Sequence, residues 1–155
     1  MIHLNEPSPA EDTEMLRIVI AVDGSEPSLR AIDAAARLAK DAEVEAVLLN
    51  VRPGPAYHGD ISPRDYERIG EQERAHQDKV LAAALTHARL AGLERAIGQA
   101  ETGTPEVDVP RVATEREADL IVMGTRGLSS LGGLLLGSVA QRVVHHATVP
   151  VLLVK

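Results

Sequence analysis

The chain has 155 residues, 45% of them hydrophobic, with a formal net charge of −7 and an isoelectric point near 5.3. That length suits one domain with a proper core, and the acidic balance argues against a nucleic-acid partner, which favours basic surfaces. Zero cysteines exclude disulfides, thiolate catalysis and Cys-ligated metals, while the lack of Phe and Trp leaves Ala, Val, Leu and Ile to fill the core and removes aromatic stacking platforms.

Residues 1–14 are acidic and polar, with no basic segment leading into an apolar one, so they read as a flexible tail and not as a secretory signal. Residues 15–155 read as a single domain. The longest apolar runs are strand length and too short to span a bilayer, which points to a cytoplasmic protein with no membrane partner. Ile18-Val19-Ile20-Ala21-Val22 is continuously apolar, as expected of a strand covered on both faces of a parallel sheet. It ends in Asp23-Gly24-Ser25-Glu26-Pro27, a turn in which Ser25 suits a helix N-cap and Pro27 the first helical turn. The helix that follows sets Leu29, Ile32, Ala36 and Ala39 on one side and Arg30, Asp33, Arg37 and Lys40 on the other.

Ala46 to Val51 reads as a second buried strand. After a loop rich in Gly and Pro, Ser62-Pro63 opens a long helix that runs to about Ala91 and is closed by Gly92. Its charged first half (Arg64, Asp65, Glu67, Arg68, Glu71, Glu73, Arg74) suits a solvated face with i,i+4 pairing, and Val80, Leu81, Ala84, Leu85 and Ala88 carry the apolar face. Ala96–Glu101, interrupted by Gly98 and polar at Gln99, suits a strand at a sheet edge. Gly103-Thr104-Pro105 turns the chain into a helix ending near Ala118. Pro110 lacks the donor that a helix interior needs, so this helix is expected to begin late, around Asp108, or to kink.

A fourth strand, Leu120–Met123, runs into Gly124-Thr125-Arg126-Gly127, and Gly137-Ser138 follows after nine further residues. A helix over Ser138–Ala147 and a strand over Val149–Val154 complete the chain. The loop between strand and helix has the chemistry of an anion cradle. Glycines let backbone N–H groups approach a phosphate, and the helix start adds unpaired donors and a partial positive charge. It is neither a Walker A loop, lacking the Lys-Ser or Lys-Thr pair, nor G-x-G-x-x-G.

Alternating strands and helices joined by right-handed crossovers imply an α/β fold, a five-stranded parallel sheet with helices on both faces. In the order 3-2-1-4-5 the strand sequence reverses between the first and fourth strands, the place where such sheets bind ligands. The loops meeting there begin at Asp23 and Gly124, on opposite lips of one crevice.

The chain resembles the universal stress protein family through Val22-Asp23-Gly24-Ser25, Leu49-Asn50-Val51, Asp119 to Gly127, and Val149-Pro150-Val151-Leu152-Leu153-Val154. The ATP-binding subgroup of that family carries G-x2-G-x9-G-[S/T], matched here by Gly124, Gly127, Gly137 and Ser138. The resemblance implies a Rossmann-like sheet of the adenine nucleotide alpha hydrolase type and a homodimer formed through Val151–Val154. It implies ATP as ligand, with any Mg or Mn carried by the nucleotide. Asp23 would then face the ribose and adenine side, Val51 would meet adenine through its backbone, and Gly127, Gly137, Ser138 and the Val139 amide would hold phosphates. Pro110 departs from the regular helix usual in the family.

Plainer roles compete for several of these residues. Asp23 also fits ordinary turn chemistry, Ser138 an ordinary N-cap, and Arg126 either a phosphate contact or a solvated loop position. His145 and His146 are adjacent on a helix and face apart, so they fit the helix C-terminal dipole better than a shared metal. His58, His76 and His87 lack companions at ligand spacing, and no structural metal is expected. Two further functions stand beside an ATP-binding stress module: a slow ATPase or nucleotidyl-transfer enzyme of the same fold group, and a structural dimer that no longer uses its pocket. The H-x-G-H and S-G-G-x-D-S motifs of related enzymes are absent, and no residue is evidently placed as a general base, so no catalytic residue is assigned.

Overall fold

A computed structural model describes residues 15–54, 61–127 and 136–155; the expected tail at 1–14 and His58 lie outside them. Along the chain run β1 (Leu16–Ala21), α1 (Glu26–Leu38), a short 3-10 turn (Ala39–Asp41), β2 (Val44–Arg52), α2 (Pro63–Leu90) and β3 (Ala96–Thr102). Then come α3 (Pro105–Glu115), β4 (Leu120–Gly124), α4 (Ser138–His146) and β5 (Val151–Val154). The strands form one sheet in the order β3-β2-β1-β4-β5, every neighbouring pair parallel. β1 is central, with Ile20 paired to Leu48 on one side and Val122 on the other.

Continuous apolar runs make sense in this sheet because both faces are covered. Ile18, Ile20, Val22, Leu48 and Val122 pack with Ala31, Ile32, Ala35 of α1 and Leu81, Ala84, Ala88 of α2. Val19, Val47, Leu49, Ile121 and Met123 point the other way, onto Val109, Val112, Ala113 of α3 and Ala140, Val143 of α4. Small alanines on the helices bring backbones close to the sheet, and branched strand residues fill the space between. The core is therefore entirely aliphatic, and burying each Ile or Leu contributes about 1.5–3 kcal/mol.

Local chemistry accounts for the element ends. Ser25 caps α1 by accepting from the Ser28 N–H, and Ser62 caps α2 by accepting from the Asp65 N–H. Gly92, at φ +102°, lets the chain leave α2 in the left-handed conformation, with the Leu93 N–H returning to the Ala88 carbonyl at 2.9 Å. Glu117, at φ +51°, makes the same exit from α3, with the Ala118 N–H on the Ala113 carbonyl.

Three expectations change. α3 begins at Pro105, ahead of Asp108, and Pro110 lies inside it, buried against the sheet. Pro105 suits the first helical position, and the Asp108 carboxylate folds back to accept the Thr104 N–H at 2.7 Å, so the start is secured before Pro110 removes one donor. On α1 the fully buried line is Ser28, Ala31, Ile32 and Ala35, with Leu29, Ala36 and Ala39 flanking it. Asp33, on the opposite side with Arg30, Arg37 and Lys40, lies 2.7 Å from Nε2 of His87 on α2. In the charged half of α2, Arg68 pairs with Asp65 at i,i+3, while Glu73 reaches Arg52 at the end of β2.

Candidate functional site

Beyond the carboxyl ends of β1 and β4 the chain turns to opposite faces of the sheet, because α1 covers one face and α4 the other. The resulting cleft has a volume of about 680 Å³. Asp23, Val51, Gly124, Arg126, Gly127, Gly137, Ser138 and Val139 all line it. Residues from four separate stretches of sequence are thus brought together by the strand order.

On the β1 lip, Asp23 lies two residues past the strand end and is half-buried. Its Oδ1 accepts from both the backbone N–H (2.9 Å) and the hydroxyl of Ser25. Gly24, at φ +82°, supplies the left-handed turn that folds Ser25 back over the carboxylate. The other carboxylate oxygen faces the glycine loop, where a Cβ placed on Gly127 would run into Oδ2.

On the β4 lip, the glycines differ in what surrounds them. A Cβ on Gly124 would come to 2.8 Å from Pro27 Cβ and 2.9 Å from the Arg126 carbonyl oxygen, so this glycine lets the strand end pack on the start of α1. Thr125 ties the loop down at both sides: its N–H donates to the Val154 carbonyl of β5, and its carbonyl accepts from the Gly137 N–H, each at 2.8 Å. A Cβ on Gly137 would sit 3.0 Å from that same Thr125 oxygen.

Gly137, and not Ser138, is the N-cap of α4; Ser138 is the first helical residue. The close approach to Thr125 requires a residue without a side chain, which displaces the serine by one position. The first helical bond runs from the Gln141 N–H to the Gly137 carbonyl, so the Ser138, Val139 and Ala140 amides precede any intrahelical acceptor. The start of α4 has neither a side-chain cap nor an acidic residue. The other three helices each carry an acid in the first turn: Glu26, Asp65, and Glu106 with Asp108. The positive end of the α4 dipole is therefore uncompensated by its own sequence and opens into the cleft.

The rest of the cleft is apolar: Ala21, Leu49, Val51, Pro53, Val109 and Met123 form floor and wall. Pro105 and Val109 of α3 were not assigned from sequence. The signal was topological, because the crossover from edge strand β3 to β4 must carry α3 over β2 and β1 and set its start beside the strand ends. Glu106 reinforces that wall by accepting from Arg142 of α4 at 2.9 Å. Its carboxyl is held below the usual glutamate range, first by its backbone N–H and then by Arg142.

Asn50 acts beneath the site. Its side-chain amide donates to the Val22 carbonyl at 2.6 Å, and its own carbonyl accepts from Gln77 of α2, whose amide also reaches the Glu101 carbonyl, both at 2.9 Å. Asn50 and Gln77 are both buried, and together they lock the ends of β1, β2 and β3 in register. Among the described residues no group of three or more His, Asp or Glu could hold a metal ion, and no helix is long and apolar enough to cross a membrane.

The profile of the universal stress protein family matches residues 15–155. A universal stress protein of Methanocaldococcus jannaschii is 35% identical over 139 residues, which cover 90% of this chain and 81% of the relative. Among solved structures, a universal stress protein in complex with cAMP superposes with a TM-score of 0.70 at 29% identity, covering 90% of this chain and 97% of that one. The universal stress protein from Archaeoglobus fulgidus in complex with dAMP gives 0.61 at 26% identity, covering 92% and 99%.

Proposed function

The chain belongs to the universal stress protein family, and from that premise we propose that it is a cytoplasmic, homodimeric module that binds ATP in the cleft between β1 and β4. The observation that carries this reading is the start of α4. Three amides ahead of the first helical bond, with no cap and no acid, open into a cleft whose other end is aliphatic. Such a site complements a ligand with a phosphate at one end and a flat apolar base at the other.

The residues fit that ligand. Gly127, Gly137, Ser138 and the Val139 amide would hold phosphates, with Arg126 near them; Asp23 would accept from ribose hydroxyls; Val51 and its aliphatic neighbours would receive adenine. The cAMP and dAMP complexes of related proteins support an adenine nucleotide. The glycine spacing of the family's ATP-binding subgroup supports the triphosphate. Among the described residues no side chain in the cleft is evidently placed to activate water, so hydrolysis is expected to be slow or absent.

The homodimer reading rests on β5. Val151, Leu152, Leu153 and Val154 lie at the sheet edge, are all apolar, and are only half-buried within one chain. An uncharged apolar edge favours pairing with the same strand of a second copy across a two-fold axis.

Mass spectrometry of protein purified without added nucleotide, followed by calorimetric titration with ATP and with cAMP, tests the ligand. Retained or tightly titrating ATP supports the proposal. Binding of cAMP without ATP would move the assignment to a single-phosphate adenine nucleotide, and binding of neither would remove the nucleotide function.

A further inference from the structure

The Asp23 carboxylate does not reach the cleft as a free rotor. Its Oδ1 takes two donors from one residue, the backbone N–H and the hydroxyl of Ser25. The hydroxyl has a single proton, and the same oxygen receives the Ser28 N–H at 3.4 Å. Capping α1 and donating to Asp23 therefore use opposite sides of one buried oxygen, and the helix start dictates where its proton points. With Oδ1 held in this way, Oδ2 is turned across the cleft toward Gly127.

From this geometry we infer that Ser25 is a positioning residue for nucleotide recognition: it fixes Asp23 so that Oδ2 is presented to the sugar hydroxyls. The inference rests on the ATP reading given above, in which Asp23 faces the ribose. Ser25 touches no ligand itself. It acts by holding Oδ1 through two donors, so that part of the cost of ordering the carboxylate is met in the fold and not at binding. A serine that only capped α1 would affect stability and leave the choice of sugar untouched.

The two roles separate by comparing ATP with 2′,3′-dideoxy-ATP, which keeps base and phosphates but lacks both hydroxyls. The unmodified protein should prefer ATP. Ser25→Ala should weaken ATP by about tenfold, the scale of one hydrogen bond to a charged group, and leave dideoxy-ATP nearly unchanged. Ser25→Asp keeps a helix cap but has no proton to donate and repels Asp23, so it should lose the preference while retaining most of the melting temperature. Ser25→Thr should restore both. In an Asp23→Ala background, Ser25→Ala should cost no further ATP affinity.

Equal weakening of both nucleotides by Ser25→Ala, or a preserved preference in Ser25→Asp, would overturn the positioning role while the ATP site stood. An unmodified protein that binds ATP but shows no preference over the dideoxy analogue would overturn the ribose role of Asp23, and this inference with it. An unmodified protein that binds neither nucleotide would overturn the functional reading itself.

Discussion

A methyl group at Gly137 would press on the Thr125 carbonyl, and one at Gly127 would strike the Asp23 carboxylate. The first neighbour met is protein in both cases, so these glycines shape the cradle as well as leaving room for a ligand. Gly137→Val and Gly127→Val should each lower ATP affinity by at least about tenfold by titration calorimetry. The effect of Gly127→Ala should largely vanish in an Asp23→Ala background, because the colliding group is gone. Gly124 behaves differently: its crowding against Pro27 makes Gly124→Ala a change of fold, with an expected loss of roughly 1–3 kcal/mol in urea denaturation. Motif spacing marks all three glycines alike, and only the atoms around them separate these roles. Asn50 and Gln77 illustrate the same limit. A buried amide joining three strand ends leaves no periodic trace in sequence, since its partners are carbonyls from distant segments. Asn50→Leu should cost about 1–3 kcal/mol by taking the side-chain donor from the Val22 carbonyl, while the Gln77 amide keeps its bonds to the backbone carbonyls of residues 50 and 101.

The helices end where short-range chemistry says they should, with one residue out of place. α2 leaves through Gly92 and α3 through Glu117, both in the left-handed region. Gly92→Ala should destabilise by about 1 kcal/mol, and Glu117→Gly should stabilise by a similar amount; its exposed ion pair with Arg17 offsets little of that gain. Thermal melts of the two variants should shift in opposite directions. Between α3 and α4, the depressed carboxyl of Glu106 carries a pH signature. A folded pKa below the unfolded one adds stability that is complete above the ordinary glutamate range and is lost as pH falls through the lowered value. Glu106→Gln should flatten that part of the acid limb when urea midpoints are followed with pH. Strands β1, β2 and β4 were legible because burial on both faces leaves an unbroken apolar run. α3 was misread at its start because proline carries two opposite meanings, helix opener at Pro105 and helix breaker at Pro110, and the fold overrides the second. The Asp33–His87 pair was invisible, since it joins helices 54 positions apart that meet only after both cross the sheet.

At the scale of the whole molecule, strand order decides what lies at the edges. β3 and β5 are the outer strands, and they differ in kind. β3 carries Gln99 and Glu101 and pairs its polar side chains with α3, whereas β5 has no charge over four residues. Leu152→Lys or Val154→Lys should therefore yield monomers by light scattering with the circular dichroism of the folded chain, while a change at Ile97 on β3 should leave the assembly intact. Right-handed crossovers narrow the arrangements open to alternating strands and helices without choosing among them, and the order found is one of those they allow. The aliphatic core has an optical consequence. A protein with no Trp and two Tyr absorbs weakly in the near ultraviolet, where adenine absorbs strongly. Any adenine nucleotide carried through purification would dominate the absorption spectrum of the sample, so a single scan of the purified chain reports its own cargo.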